Sequence, residues 1–167
     1  MQSIVVKILD HTADNVAEQI RAVRHAAYLQ EAKLLGTIFF PPLEQTVSDI
    51  QCSSDRFFGA YLGDVLAGVA SIENPQAQLP RSISSVTVAP QYQRRGLARA
   101  LLRTLLDDMQ SQTIIVSTGA RNAPALALYA DFGFIAFNYR TVGAEQLELV
   151  ELRRDRLQSV PGDRHES

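Results

Sequence analysis

This chain of 167 residues has a single cysteine, Cys52, which excludes an internal disulfide and fits a reducing compartment. Long hydrophobic runs are missing too: no stretch reaches the ~20 apolar residues that span a bilayer. The start, Met-Gln-Ser-Ile-Val-Val-Lys-Ile, has no basic region before an apolar core, so no secretory leader is read there. A cytoplasmic protein is expected, with no membrane partner. Charge of either sign is scarce in excess: 16 Lys and Arg against 18 Asp and Glu leave a net −2, which argues against non-specific nucleic-acid binding. Repeats and low-complexity tracts are absent. His11, His25 and His165 show no metal-ligand spacing, so no metal is expected. No Gly-Lys pair exists, which removes a Walker loop. The segment from Ser84 to Gln110 holds one glycine, too few for a dinucleotide fingerprint.

What is present concentrates in that segment. Ser82 to Val88 is a β-branched strand, Pro90 stops it, and Gln93-Arg94-Arg95-Gly96-Leu97-Ala98-Arg99 turns into an amphipathic helix. A helix starting on such a turn leaves several main-chain N–H groups unpaired and pointing one way. With the positive end of the helix dipole they suit a phosphate or pyrophosphate. Gly96 and Ala98 are small enough for a bulky anion to approach the main chain. Gln93 is placed to brace the turn, and Arg94, Arg95 and Arg99 add guanidinium charge beside the donors. Ala98, Leu101, Leu102, Leu105 and Met109 form one apolar stripe, while Arg99, Arg103, Asp107 and Gln110 face away.

At this length the chain reads as one domain over residues 1–152, followed by a charged tail from 153 to 167 containing Pro161-Gly162. Ser3 to Asp10 reads as a strand. Thr12 or Asp14 can cap a helix with the stripe Val16, Ile20, Val23 and Ala27, closing at Gly36. Thr37 to Pro42 is a loop and Val47 to Cys52 a short helix. Phe57–Leu62 and Val65–Ile72 flank Gly63-Asp64 as a hairpin, and residues 73–80 connect it to the fourth strand. Thr113 to Ser117 returns in a βαβ unit. Asn122 caps a short helix that ends before Gly133, and Phe134–Asn138 and Gln146–Leu152 close the sheet.

With that order of elements, the turn from Gln93 to Ala98, and Asn122 through Tyr129 followed by Gly133-Phe134, the chain resembles the GNAT superfamily of N-acetyltransferases over roughly Ser3 to Leu152. The resemblance implies an α/β fold: a mixed, mainly antiparallel sheet of six to seven strands with helices on both faces. It also implies acetyl-coenzyme A as co-substrate and a small-molecule or peptide amine as acceptor. Homodimers are common in the family. Carried onto this sequence, the pyrophosphate falls to the amides of Arg94, Arg95, Gly96, Leu97, Ala98 and Arg99 on the turn that begins at Gln93. The pantetheine arm falls to Val86, Thr87 and Val88 on the fourth strand, and to Asn122, Ala125 and Tyr129 on the following helix.

Tyr129 lies seven residues after Asn122, on the same helix face. The resemblance makes this phenol the acid that protonates the departing thiolate. Many relatives use a strand glutamate as base, but Ser82–Val88 contains no carboxylate. Glu73 is the nearest candidate, with Asp55 and Glu44 behind it. Phe39, Phe40 and Pro41 fall in the loop that shapes the acceptor pocket in the family. The reaction implied is direct attack of an amine on the thioester in a ternary complex. The alternative is a non-catalytic acyl-coenzyme A binder acting as a sensor.

Overall fold

The computed structural model describes residues 3–37, 40–74, 80–109 and 112–155. Expectations placed on Phe39, on Gln110, on most of the 73–80 connection and on the tail past Asp155 lie outside them. The elements follow the order β1 (Ile4–Leu9), α1 (Asp14–Leu35), α2 (Val47–Cys52), β2 (Arg56–Leu62), β3 (Val65–Ile72), β4 (Arg81–Val88), α3 (Leu97–Asp108), β5 (Ile114–Gly119), α4 (Ala123–Asp131), β6 (Ile135–Val142) and β7 (Leu147–Arg154). One seven-stranded sheet carries them in the order β1-β2-β3-β4-β5-β7-β6. Every neighbouring pair is antiparallel except β4 with β5. The mixed, mainly antiparallel sheet expected from the sequence is therefore the observed one.

Period-two alternation splits the core between the two sheet faces. Phe57 packs with Leu9, Ile20, Val23, Ile50, Leu66 and Val69 on the face covered by α1. Its neighbour Phe58 turns to the other face, against Leu97, Leu101, Leu102 and Leu105 of α3. The central strands are thus buried on both sides, which explains why β3 reads as an almost unbroken apolar run. Burying each of those α3 leucines is worth about 1.5–3 kcal/mol, so the amino end of α3 is held rigidly. No helix among the described residues is long and apolar enough to cross a membrane.

Several boundaries differ from expectation, among them β5, which runs on to Gly119, and β6, which runs on to Val142 instead of ending at Asn138. The residue before α1 is Ala13, with no side-chain cap, because the Thr12 hydroxyl donates instead to Asp10 at 2.5 Å. The Thr37–Pro42 loop tightens into a 3-10 turn over Pro41–Glu44, where the paired prolines fit the first positions. Arg153 and Arg154, expected in the tail, are the last residues of β7. Arg154 pairs with Ile114, and its Nε donates to the Phe132 carbonyl.

Candidate active site

The parallel pair β4 and β5 is in register at only three positions, Arg81 with Ile114, Ser82 with Ile115 and Ile83 with Val116. Beyond Ile83 the two strands part, and the edge of β4 that faced β5 loses its ladder. A cleft of about 280 Å3 fills the wedge. Ser84 to Thr87 form one wall and Val116 to Gly119 the other. α1 contributes Tyr28, Glu31 and Leu35, and α4 contributes Asn122, Ala125 and Tyr129. Leu35 seats against the Gly119 backbone so closely that a side chain there would meet it at 2.5 Å.

At the carboxyl end of β4, Ala89 leads through Pro90–Tyr92 into the turn before α3. Arg94 and Gly96 both adopt left-handed backbone, φ 63° and 86°. Gly96 caps α3 with no side chain contributing, and none of the amides of Arg94, Arg95, Gly96, Leu97, Ala98 and Arg99 donates to a described carbonyl. Gln93 braces the turn as expected: its side-chain amide donates to the Val88 carbonyl at 3.2 Å and to Gln30 Oε1 at 2.6 Å. The free donors are therefore fixed to both β4 and α1. Two of the three arginine side chains have partners of their own. Arg99 is ion-paired with Asp131 at 2.5 Å, and Arg95 lies over the Tyr92 ring. What this end of the site presents is a set of unpaired main-chain N–H groups at a helix start, an arrangement suited to an anion.

Tyr129 is 4% exposed, its ring set edge-on to Phe134 at 5.4 Å. Its hydroxyl has no hydrogen bond among the described residues, although it borders the cleft. Burial raises its pKa, with Glu31 and Tyr28 adding to the effect, so the phenol stays protonated. Asn122 does two things at once. Its Oδ1 accepts from the Ala125 amide at 3.2 Å, capping α4, and its Nδ2 donates to Glu31 at 3.3 Å. Ala125 is half-buried on the cleft side of α4, where a larger side chain would narrow the wedge.

The β4 residues divide. Val86 lines the cleft and is half-buried, whereas Val88 is buried in the core. Thr87 sends its hydroxyl to the Val69 carbonyl at 3.1 Å, so only its main chain can serve a ligand. The Val88 carbonyl is already taken by Gln93. Phe40, Pro41 and Pro42 form the lip opposite β4.

Glu73 is the candidate that the structure leaves outside. The β3–β4 register, Ser71 with Ser85 and then Ile72 with Ile83 across an irregularity, sets Glu73 beside Ser82 near the start of β4, away from the Ser84–Thr87 stretch that lines the cleft. It is exposed there, its amide donating to the Ser82 carbonyl at 2.9 Å, and it does not line the cleft. Asp55 and Glu44 line a second depression of about 530 Å3 that shares Tyr28, Pro41, Pro42, Ser84 and Ser85 with the cleft. Asp55 accepts there from the Ser84 hydroxyl at 2.6 Å.

The carboxylate in the cleft is Glu31, which the apolar stripe of α1 did not reveal. Burial raises its pKa, partly offset by the Asn122 bond. A signal existed in the sequence: Arg24, Tyr28, Glu31 and Leu35 fall at intervals of four, three and four, one helix face. Arg24 is 6% exposed and donates to Gln45, Ser71 and Ser85, each at 2.8 Å, with no carboxylate paired to it among the described residues.

Comparison with known proteins agrees with this geometry. A family model described as "Acetyltransferase (GNAT) family" matches residues 22–134. N-alpha-acetyltransferase RimI of Mycobacterium tuberculosis is 30% identical over 156 residues, 86% of this chain and 96% of the relative. YqkA of Bacillus subtilis is 35% identical over 131 residues, but this chain spans only 38% of its length. Among solved structures, the ribosomal-protein-S18-alanine N-acetyltransferase of Escherichia coli superimposes with a TM-score of 0.71 at 19% identity, covering 96% of this chain and 98% of that one. That likeness shows the same fold.

Proposed function

This chain belongs to the acetyltransferase (GNAT) family, and we propose that it moves an acetyl group from acetyl-coenzyme A directly to a primary amine in a ternary complex. The single observation carrying this reading is the wedge between β4 and β5, with free amides at one end and the unpartnered Tyr129 hydroxyl bordering it. The residues present suit a coenzyme A thioester. The amides of Arg94 to Arg99 would take its diphosphate. The open edge of β4 at Ser85 to Thr87, with Asn122 opposite, would take the pantetheine amides. The chemistry so supplied is an activated acyl carbon.

Three contributions then fall to the protein. Holding acyl donor and amine at one spot removes much of the entropic barrier to their meeting. Main-chain N–H groups along the free β4 edge would polarise the thioester carbonyl. Tyr129, kept protonated by burial, donates to sulfur as the C–S bond breaks. A purely binding role leaves that hydroxyl without a purpose.

The acceptor we favour is the α-amino end of a peptide. The RimI relative is named an N-alpha-acetyltransferase, and the depression beside Tyr28 and Ser84 gives an extended acceptor room to approach. Its wall carries Glu44, Asp49 and Asp55, which attract an ammonium group. The test is a screen of alanine-initiated peptides, free amino acids and diamines with acetyl-coenzyme A, following thiol release. Turnover with the peptides supports the reading. Tight coenzyme A binding without thiol release from any amine would replace it with the sensor.

A further inference from the structure

We propose that Glu31 takes the proton from the acceptor's ammonium, so that α1 rather than a strand supplies the base of this site. This rests on the acetyl-transfer reading above. Among the described residues lining the cleft, Glu31 is the one charged side chain, and it lines the same wedge as Tyr129. The other titratable groups facing it are Tyr28 on its own helix and Tyr129 on α4. β4 and β5 offer it only hydroxyls, from Ser84, Ser85, Ser117 and Thr118. Arg24, on the same face of α1, directs its terminal guanidinium nitrogens to Gln45, Ser71 and Ser85.

Geometry leaves this carboxylate available. Asn122 Nδ2 is its one hydrogen-bond donor among the described residues, and no lysine or arginine pairs with it. An unneutralised carboxylate at the inner wall of an apolar cleft draws an ammonium to it. Burial also moves its pKa upward, nearer the working pH, where a general base is most effective. The Asn122 bond fixes its orientation from the residue that caps α4, and thereby ties the base to the helix carrying Tyr129.

The proton balance closes. The ammonium gives one proton to Glu31 and becomes a nucleophile. Its nitrogen forms the C–N bond to the acyl carbon, and the C–S bond breaks with the electron pair on sulfur. Tyr129 gives its proton to that sulfur and recovers the second nitrogen proton as the amide forms. Glu31 passes its proton to water. One amine cation and one thioester become one amide, one thiol and one released proton.

Glu31→Gln tests the assignment, because glutamine keeps an oxygen for Asn122 and a similar volume. Thiol release would be followed with an alanine-initiated peptide across pH 5 to 10, alongside coenzyme A binding by calorimetry. Expected are coenzyme A affinity within about threefold of wild type and kcat lowered about 10²–10⁴-fold near neutrality. The limb of kcat/KM that Glu31 sets in wild type should vanish, leaving only the rise as the acceptor amine itself deprotonates. A second variant, Glu31→Asp, should keep the limb at reduced rate. Wild-type turnover with an unaltered pH limb in Glu31→Gln would overturn the base and leave acetyl transfer standing. A wild-type protein that binds coenzyme A yet acetylates none of the screened amines would overturn both.

Discussion

Glu31 of α1 and Asn122 at the start of α4 are joined by a 3.3 Å hydrogen bond, although 91 residues separate them in the chain. That bond closes the cleft between two helices that cover the sheet around the splayed strands. It also means that one residue, Asn122, both starts a helix and orients an acidic side chain. Each prediction below perturbs one part of this arrangement.

Tyr129→Phe removes only the hydroxyl and leaves the ring against Phe134. The fold and coenzyme A affinity should be unchanged. Thiol release should fall about 10²-fold or more, the usual contribution of a positioned acid. Steady-state kinetics with calorimetry checks both halves. A wild-type rate removes Tyr129 from the chemistry.

Gly96→Val places a β-branched residue at φ 86°. Space is not the obstacle, since the nearest atom to a side chain there is Ile4 at 3.8 Å. Backbone strain is: the substitution should cost about 1–2 kcal/mol in urea unfolding. Twisting the turn away from left-handed geometry scatters the free amides, so coenzyme A affinity should drop about tenfold. Arg94→Gly relaxes the neighbouring strained residue and, on the proposed main-chain binding of the diphosphate, should leave affinity within about threefold.

Arg24→Met keeps the aliphatic stem but strips the donors from Gln45, Ser71 and Ser85. Leaving buried acceptors unpaired should destabilise the protein by about 1–3 kcal/mol in urea unfolding. The loss should be pH-independent between 5 and 9, since no carboxylate pairs with Arg24 among the described residues.

Glu31 also makes a stability prediction. Its folded-state pKa is raised by burial, so the folded protein holds this proton more tightly than the unfolded chain does. The group therefore favours folding in acid, and that contribution is lost as pH climbs from the ordinary glutamate value through the raised one. Glu31→Gln should melt at a higher temperature than wild type at pH 7, with the two curves drawing together below about pH 4. Melting scans across that range check it; equal melting points at pH 7 would show the carboxylate to be solvated.

The sequence legibly carried the local structure, including the turn that leads into α3. The hairpin at Gly63-Asp64, the α3 stripe and the Asn122 cap all arise from neighbouring residues, and each is where its pattern placed it. The left-handed Gly96 and the bracing by Gln93 are similarly local, so the shape of the turn could be read from one short segment. Glu73 does lie beside β4, but at Ser82, whereas the cleft opens along Ser84 to Thr87; only the strand register shows that the exposed carboxylate is off the cleft.

Tertiary structure alone decided three things. Strand separation beyond Ile83 is a property of the sheet: β5 stays paired with β7 from Ile114 to Gly119 while its other edge holds β4 only as far as Ile83. The free Tyr129 hydroxyl depends on α4 landing over that gap. The placing of Glu31 depends on α1, far earlier in the chain, crossing the same gap with its polar face inward. Periodicity tells which residues of a helix share a face. Only packing against the rest of the chain tells what that face meets.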